Sequence, residues 1–149
     1  MEFKNLVVGL PPLLNQYNQS MKKITAIVEK STDGQYSCYV PEKVGDFVFI
    51  GYGSTAKEAI EDLKVSVTEA REVAGRAIPD FEFVYKYDIQ SFFNRFDILN
   101  ITKVGELAGI NPTLLRRYAC GSAKAGQKQY DKLKKAIEYS IDELKKATF

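Results

Sequence analysis

The chain lacks histidine and has only two cysteines among its 149 residues. Without histidine it lacks the commonest general base, the Ser-His and Cys-His nucleophile pairs and nearly all catalytic zinc sites. Cys38 and Cys120 lie too far apart in sequence to form a metal-ligand cluster, and they are compatible with a reducing compartment. We therefore expect a protein that is not an enzyme and that needs no metal and no cofactor.

Long hydrophobic runs are also missing. The longest apolar stretch, Leu6 to Leu14, is short and is interrupted by Pro11 and Pro12, so it predicts no membrane span. It is a poor signal peptide, because Glu2 stands beside Lys4 and no clear cleavage site follows. We expect a cytoplasmic protein. Residues 1–20 fit no later pattern and are either an N-terminal extension or an arm packed on the domain.

Charge is distributed unevenly along the chain. Hydrophobic residues make up 45% and charged residues 27%, which excludes disorder over the whole length. The net charge of +2 divides into −3 for residues 21–90 and +5 for residues 100–149. This asymmetry predicts two modules with different partners.

The sequence pattern of the acidic part, residues 21–90, predicts a β-β-β-α-β module. Alternating or β-rich segments predict four strands, at Lys22–Lys30, Gln35–Val40, Phe47–Tyr52 and Phe81–Tyr87. The third is apolar nearly throughout, as a central strand would be. The helix before the fourth strand is capped by Ser54 or Thr55 and ends at Gly75. Its predicted apolar face is Ala56, Ala59, Ile60, Leu63, Val67, Ala70 and Val73. We expect the fourth strand to run parallel to an earlier one, with the helix covering one face of the sheet.

From Asp88 the apolar spacing becomes helical and predicts four helices. Residues 101–121 resemble the helix-turn-helix of Cro-repressor-type DNA-binding domains. In that pattern Leu107 and Ala108 pack the first helix on the second, Gly109 makes the turn, and Ile110 and Leu115 fill the core. The alternative is a four-helix interaction module with a solvated basic face.

The second helix of such a pair lies in the major groove and presents its exposed residues to base edges. The predicted DNA-binding residues lie on this helix, at the start of the preceding one and just after the pair: Thr102, Lys103, Pro112, Thr113, Arg116, Arg117, Ser122, Lys124 and Lys128. Gln127 flanks them. Pro112 and Leu114 replace the polar residues common early in such helices, which leaves base readout mainly to Arg116 and Arg117.

The acidic part resembles the HicB family, antitoxins of type II toxin–antitoxin systems. The resemblance rests on the order and spacing of turn and cap residues: Gly34, Tyr36, Pro41, Gly51, Gly53, Thr55, Glu58 and Ala59. One departure is the apolar run from Phe47 to Ile50. The resemblance implies a partial ribonuclease-H-like fold and a HicA-like toxin, a small RNA-cleaving protein, as partner. The predicted toxin-binding residues form the acidic face of the helix: Glu58, Glu61, Asp62, Glu69 and Glu72.

The sequence thus predicts an α+β protein with an N-terminal extension (1–20), a HicB-like toxin-binding module (21–87) and an all-α helix-turn-helix DNA-binding domain (88–149). We expect an antitoxin that represses its own operon as a homo-oligomer, a dimer or a tetramer. The last helix carries an apolar stripe that either forms the dimer surface or closes the core: Tyr130, Leu133, Ile137, Ile141 and Leu144.

Two other functions compete with this prediction. A stand-alone helix-turn-helix regulator with a ligand-sensing N-terminal module predicts a deep apolar pocket in that module. A ribonuclease-H-like enzyme predicts converging carboxylates. The acids that could serve it are scattered over turns and a helix cap, and they give little reason to expect a metal pair: Glu29, Asp33, Asp46 and Glu58.

Overall fold

A computed structural model describes residues 21–149, which form a mixed α+β structure with a four-stranded sheet and five α-helices. The predicted extension at residues 1–20 lies outside the described residues. The strands are β1 (Lys22–Lys30), β2 (Tyr36–Tyr39), β3 (Ile50–Gly53) and β4 (Phe81–Tyr87). The helices are α1 (Ala56–Ala74), α2 (Ile89–Arg95), α3 (Ile101–Ala108), α4 (Pro112–Cys120) and α5 (Gln127–Lys146). A short 3-10 turn, Gly75–Ala77, follows α1.

The sheet has the strand order β3-β2-β1-β4. β1 and β2 are antiparallel, as are β2 and β3, whereas β1 and β4 are parallel. The hairpin between β1 and β2 turns at Gly34, whose φ of +87° suits glycine. The predicted hairpins and the parallel fourth strand are confirmed, and β1 and β4 have the predicted bounds.

The prediction that the third strand is central is wrong. β3 is an edge strand of four residues. Val48, which precedes it, and Ile50 and Tyr52 within it are 65%, 40% and 59% exposed. Within the apolar run, Phe49 is buried and Phe47 packs against the core. The run therefore alternates between core and surface, which its composition alone does not reveal.

The start of α1 uses both residues predicted as caps. The hydroxyl of Thr55 accepts a hydrogen bond of 3.1 Å from the N–H of Glu58. The carboxylate of Glu58 in turn accepts from the N–H of Ser54 at 2.8 Å and from the Ser54 hydroxyl. The N–H of Glu58 in the first helical turn and the N–H of Ser54 just before the cap are both satisfied in this way.

α1 packs directly onto β3 through two glycines. A β-carbon at Gly51 would lie 2.3 Å from the N of Leu63 and 2.4 Å from the O of Ala59, and Gly53 is similarly crowded by Glu58. Only a residue without a side chain allows the helix backbone to come so close to the strand.

The predicted apolar face of α1 is buried from Ala56 to Val67. The prediction that Val73 belongs to that face is wrong, because its side chain is 88% exposed while Ala70 and Ala74 pack against the core. The described core of the sheet and α1 consists of Ala26, Val28, Tyr36, Cys38, Val40, Val44, Phe49, Ala56, Ala59, Ile60, Leu63, Val67 and Ile78.

The helices after β4 bury a second cluster, made of Ile89, Phe93, Ile110, Leu115, Tyr118 and Leu133. The apolar stripe predicted on α5 divides into two parts. Tyr130, Leu133 and Ile137 pack against this cluster, whereas Ile141 and Leu144 are 44% and 73% exposed. The first part of the stripe closes the core, and the second lies at the surface.

Long-range hydrogen bonds join α2 to the sheet and to α1. The hydroxyl of Ser91, fully buried, donates to the O of Val28 at 2.7 Å. The carboxylate of Asp88 caps α2 and accepts from the N–H of Lys30 at 3.1 Å. The amide oxygen of Asn94 accepts from the N–H of Ala56 at 2.8 Å. Because Asp88 follows directly on β4, the sheet continues into α2 without a linker.

Candidate functional site

α3 and α4 are joined by a tight turn with defined caps. Asn100 caps α3 by accepting from the N–H of Lys103, and Asn111 caps α4 by accepting from the N–H groups of Thr113 and Leu114. Between the two helices Gly109 adopts a left-handed φ of +66°. The predicted roles of Gly109 as the turn residue and of Asn111 as the cap are confirmed.

α3 and the chain that follows it approach each other closely at Gly105, a contact that the sequence pattern does not predict. A β-carbon at Gly105 would lie 3.0 Å from the O of Ile110 and 3.3 Å from the Cα of Pro112. Gly105, which has no side chain, thus lies where residues 110–112 pass close to α3. Of the two residues predicted to pack α3 on α4, Ala108 packs against the helical core cluster and Leu107 does not. Ala108 is only partly buried, and Leu107 is 49% exposed.

α4 has one buried side and one exposed side. Leu115 is fully buried and Tyr118 is 8% exposed. The exposed residues recur at the spacing of one helical face, Thr113, Arg116, Arg117 and Cys120. Pro112 and Leu114 are only half-exposed. The predicted anchor role of Leu115 is confirmed, and the two arginines point away from it into solvent.

The guanidinium of Arg116 is held between α3 and α4. Its Nη1 donates to the hydroxyl of Thr102 at 2.7 Å, and its Nη2 lies 3.4 Å from the hydroxyl of Thr113. Thr102, Thr113 and Arg116 therefore form one group on the surface. The sequence suggested each residue separately, but not the contact between Thr102 and Arg116, which are fourteen positions apart.

The other predicted DNA-binding residues surround this group or lie next to α4. Lys103 is exposed and forms an ion pair of 3.1 Å with Glu106, one turn along α3. Ser122 donates through its hydroxyl to the O of Arg117 at 3.4 Å. Lys124 is exposed in the loop between α4 and α5, and Lys128 is exposed at the start of α5. No contact given by the structure joins Lys128 to the Arg116 group.

Lys132 supports the turn and was not singled out by the sequence. Its Nζ donates to the O of Gly109 at 3.3 Å, so a side chain of α5 satisfies a carbonyl at the end of α3. A lysine on a helix that carries many lysines gives no distinct signal in sequence.

The two cysteines have opposite environments. Burial raises the pKa of Cys38 to about 12, so its thiol remains protonated. Cys120 is exposed at the end of α4, where contact with the hydroxyl of Ser122 lowers the pKa of its thiol.

The acids predicted to bind the toxin all lie exposed on α1. Glu58 is engaged at the helix cap, Glu61 pairs with Lys64 at 2.9 Å, and Asp62 accepts from the N–H of Tyr52 at 2.9 Å. Within residues 21–149, neither Glu69 nor Glu72 has a hydrogen-bond or ion-pair partner.

In the described part of the chain, no group of three or more histidine, cysteine or acidic side chains is placed to hold a metal ion. None of the helices between residues 21 and 149 combines the length and apolar character that a membrane crossing requires.

A cleft of about 640 Å³ lies between the hairpin of the sheet and the helices. It is lined by Ser31 and Thr32 of the hairpin, Asp88 and Gln90 at the start of α2, and Lys124 beyond α4. The competing prediction of a ligand-sensing module required a deep apolar pocket within residues 21–87. This cleft is lined by polar and apolar groups together, and it lies where the sheet meets the helices.

Comparison with known proteins found no match to a family model, to a curated protein or to a solved structure.

Proposed function

We propose that the chain is a HicB-like antitoxin that neutralises a HicA-like, RNA-cleaving toxin and represses its own operon by binding operator DNA. Residues 21–87 would form a partial ribonuclease-H-like module that binds the toxin, and α3 and α4 a helix-turn-helix. The compartment proposed for this activity is the cytoplasm. The observation that carries the DNA part of the proposal is the exposed side of α4.

This side of α4 has the chemistry that base recognition requires. Arginine can form two hydrogen bonds with guanine, and threonine can bond a base edge or contact a thymine methyl group. Arg116 is already oriented by two hydroxyls, which reduces the side-chain freedom lost on binding. The exposed lysines 103, 124 and 128 supply positive charge beside it, where phosphates would lie.

The DNA proposal is tested by fluorescence anisotropy with a labelled duplex from the chain's own promoter, at several salt concentrations. We expect the promoter duplex to bind more tightly than a random duplex, with an affinity that falls as salt rises. Equal affinity for both duplexes at every salt concentration, in dimeric protein, would contradict the proposal.

A matched pair of double variants separates base recognition from general attraction. Arg116→Ala with Arg117→Ala should weaken promoter binding about 30-fold or more, because specific arginine contacts are lost. Lys145→Ala with Lys146→Ala removes the same charge from the far end of α5 and should weaken binding of both duplexes only slightly. Equal losses in the two variants would argue against recognition by α4.

The toxin part rests on the resemblance of residues 21–87 and on the acidic surface of α1. A basic RNA-binding toxin would be attracted to that surface. Co-expression with the product of a short basic reading frame beside the gene should relieve its toxicity. The Arg116 and Arg117 double variant should neutralise as well as the wild type, whereas Glu69→Lys with Glu72→Lys should neutralise less well. Failure of the wild type to relieve toxicity would refute this part.

A ligand-controlled regulator is the second candidate, although the cleft between the hairpin and the helices is not the deep apolar pocket within residues 21–87 that it predicts. In that case a small polar molecule would bind in the cleft and alter DNA affinity. Promoter binding that changes with metabolite extracts, without a toxin partner, would support it over the antitoxin.

A further inference from the structure

The two edges of the sheet differ in how their backbone is covered. At the β3 edge, the outward N–H of Tyr52 donates to the carboxylate of Asp62 on α1. At the β4 edge, the outward backbone groups of Phe81–Tyr87 have no hydrogen-bond partner among residues 21–149. A long uncovered edge strand can pair with another chain.

The direction of these outward groups follows from the pairing with β1. The N–H of Asp88 donates to the O of Val28 at 3.2 Å, so the even-numbered residues of β4 face β1. The odd-numbered residues 81, 83, 85 and 87 therefore direct their N–H and C=O groups outward. A groove of about 500 Å³ between the second half of β4 and α5 leaves room beside the strand.

The sequence of β4 is complementary to itself when reversed. Its seven residues read aromatic, acid, aromatic, valine, aromatic, base, aromatic, with Val84 at the centre. An antiparallel copy centred on Val84 places Glu82 opposite Lys86 twice, and pairs Phe81 with Tyr87 and Phe83 with Tyr85. Opposite charges and aromatic pairs across neighbouring strands both stabilise a sheet.

Only this register satisfies both charges. A shift of two residues in either direction places Glu82 or Lys86 opposite Val84, and a shift of four places like charges opposite each other. The even residues, Glu82, Val84 and Lys86, are exposed on one face of the sheet. The odd, aromatic residues are partly buried on the other face, against the core.

We propose that two copies of the chain form a dimer by antiparallel pairing of their β4 strands about a two-fold axis at Val84. The outward residues then form four hydrogen-bonded pairs, with about eight main-chain hydrogen bonds. The two sheets become one continuous eight-stranded sheet. Such a contact is isologous and closed, because each copy uses the same surface. It does not depend on toxin or DNA binding, and it assigns the dimer contact to β4 rather than to α5.

Charge reversal tests the register in the intact chain. Lys86→Glu places carboxylates opposite each other at two positions, and we expect the dimer Kd measured by sedimentation to rise about tenfold. Adding Glu82→Lys to this variant restores opposite charges and should return the Kd to within about threefold of the wild type. A dimer that the single variant leaves unchanged, or that the second change fails to restore, would overturn the proposal.

Crosslinking tests the two-fold axis directly. In a Cys120→Ser background, Val84→Cys places two thiols across a non-hydrogen-bonded pair, where Cα atoms lie about 4.5 Å apart and a disulfide can form. With oxidised glutathione as oxidant, we expect rapid formation of a covalent dimer. Thr25→Cys, on the neighbouring strand β1 and exposed on the same face, should crosslink far more slowly. Equal rates would refute the axis.

The exposed end of α5 is the competing dimer surface. Ile141→Asp with Leu144→Asp should leave the dimer Kd unchanged. Loss of the dimer in this variant but not in Lys86→Glu would place the contact on α5, and a chain that remains monomeric up to about 100 μM would refute both contacts. Circular dichroism of each variant would show that its fold is retained.

Discussion

α1 and α4 both expose a charged side, but they use their charges differently. On α1, the exposed acids Glu58, Glu61 and Asp62 already serve the helix cap, an ion pair and the edge of the sheet. On α4, the side chain of Arg117 has no polar partner within the described residues, and Arg116 contacts only two threonine hydroxyls. Among the described acids of α1 and arginines of α4, the charges that the fold leaves without a partner are therefore Glu69, Glu72 and Arg117, and these are the ones most readily available to another molecule.

A substitution that disturbs the packing of α1 on β3 should have the largest effect on stability. Gly51→Ala places a β-carbon against the backbone of α1, which neither element can avoid by a side-chain movement. We expect a loss of about 3 kcal/mol in the free energy of unfolding, measured by urea denaturation. Gly126→Ala is the control, because nothing lies within 4 Å of that position and its φ of −88° suits any residue. Equal denaturation midpoints for the two variants would contradict this packing.

The acids of α1 should differ from one another in the same measurement. Asp62→Ala removes the acceptor for the N–H of Tyr52 and should cost about 1 kcal/mol. Glu69→Ala, on the same exposed side of the helix but without such a contact, should change stability by less than about 0.5 kcal/mol. Similar losses in both variants would mean that Asp62 does not support the β3 edge.

Replacing Glu58 should have a smaller effect on the free energy of unfolding, and this effect should depend on pH. Hydrogen bonds from the hydroxyl and the N–H of Ser54 hold the pKa of this carboxyl below its usual range. Its stabilising contribution is therefore complete above the pKa of the unfolded chain and is lost as pH falls through the lower pKa of the folded chain. Glu58→Gln should be less stable than the wild type at neutral pH, and the difference should shrink by about pH 3. A difference that grows in acid would contradict the assignment.

The smallest effect on stability is expected on α4. Arg117→Ala should change the free energy of unfolding by less than about 0.5 kcal/mol, because its side chain is exposed. Leu115→Ala, on the buried side of the same helix, should cost about 3 kcal/mol. A marked destabilisation by Arg117→Ala would show that the two helices do not differ as described.

The sequence predicted the elements of the fold better than their contacts. β1 and β4 were predicted with their bounds because strict alternation distinguishes their two faces. The edge position of β3 was missed, because a run of four apolar residues is typical of a central strand and does not show which side chains face solvent. Gly105 was overlooked as the point of close approach, since a glycine within a helix gives a weak signal.

Contacts between residues distant in sequence were beyond prediction from pattern. Thr102 and Thr113 are ordinary helix residues, and only the fold brings both hydroxyls to Arg116. The same holds for Asp62, whose hydrogen bond to β3 distinguishes it from Glu69 although both are exposed acids on one helix. Local rules describe periodicity and caps, whereas these contacts depend on how the elements pack.

The junction at Asp88 has a geometric consequence. Ser91 and Asp88 tie α2 to β1 with no intervening linker, and α2 and α4 pack together in one cluster through Phe93 and Leu115, so α4 is held in place relative to β4. In the proposed dimer, the continuous sheet would then fix the distance between the two α4 helices. That distance would select the spacing of operator half-sites. Two glycines inserted between Tyr87 and Asp88 should make the distance between the two α4 helices variable. The dimer should then bind a broader range of half-site spacings, while each α4 still recognises its own half-site.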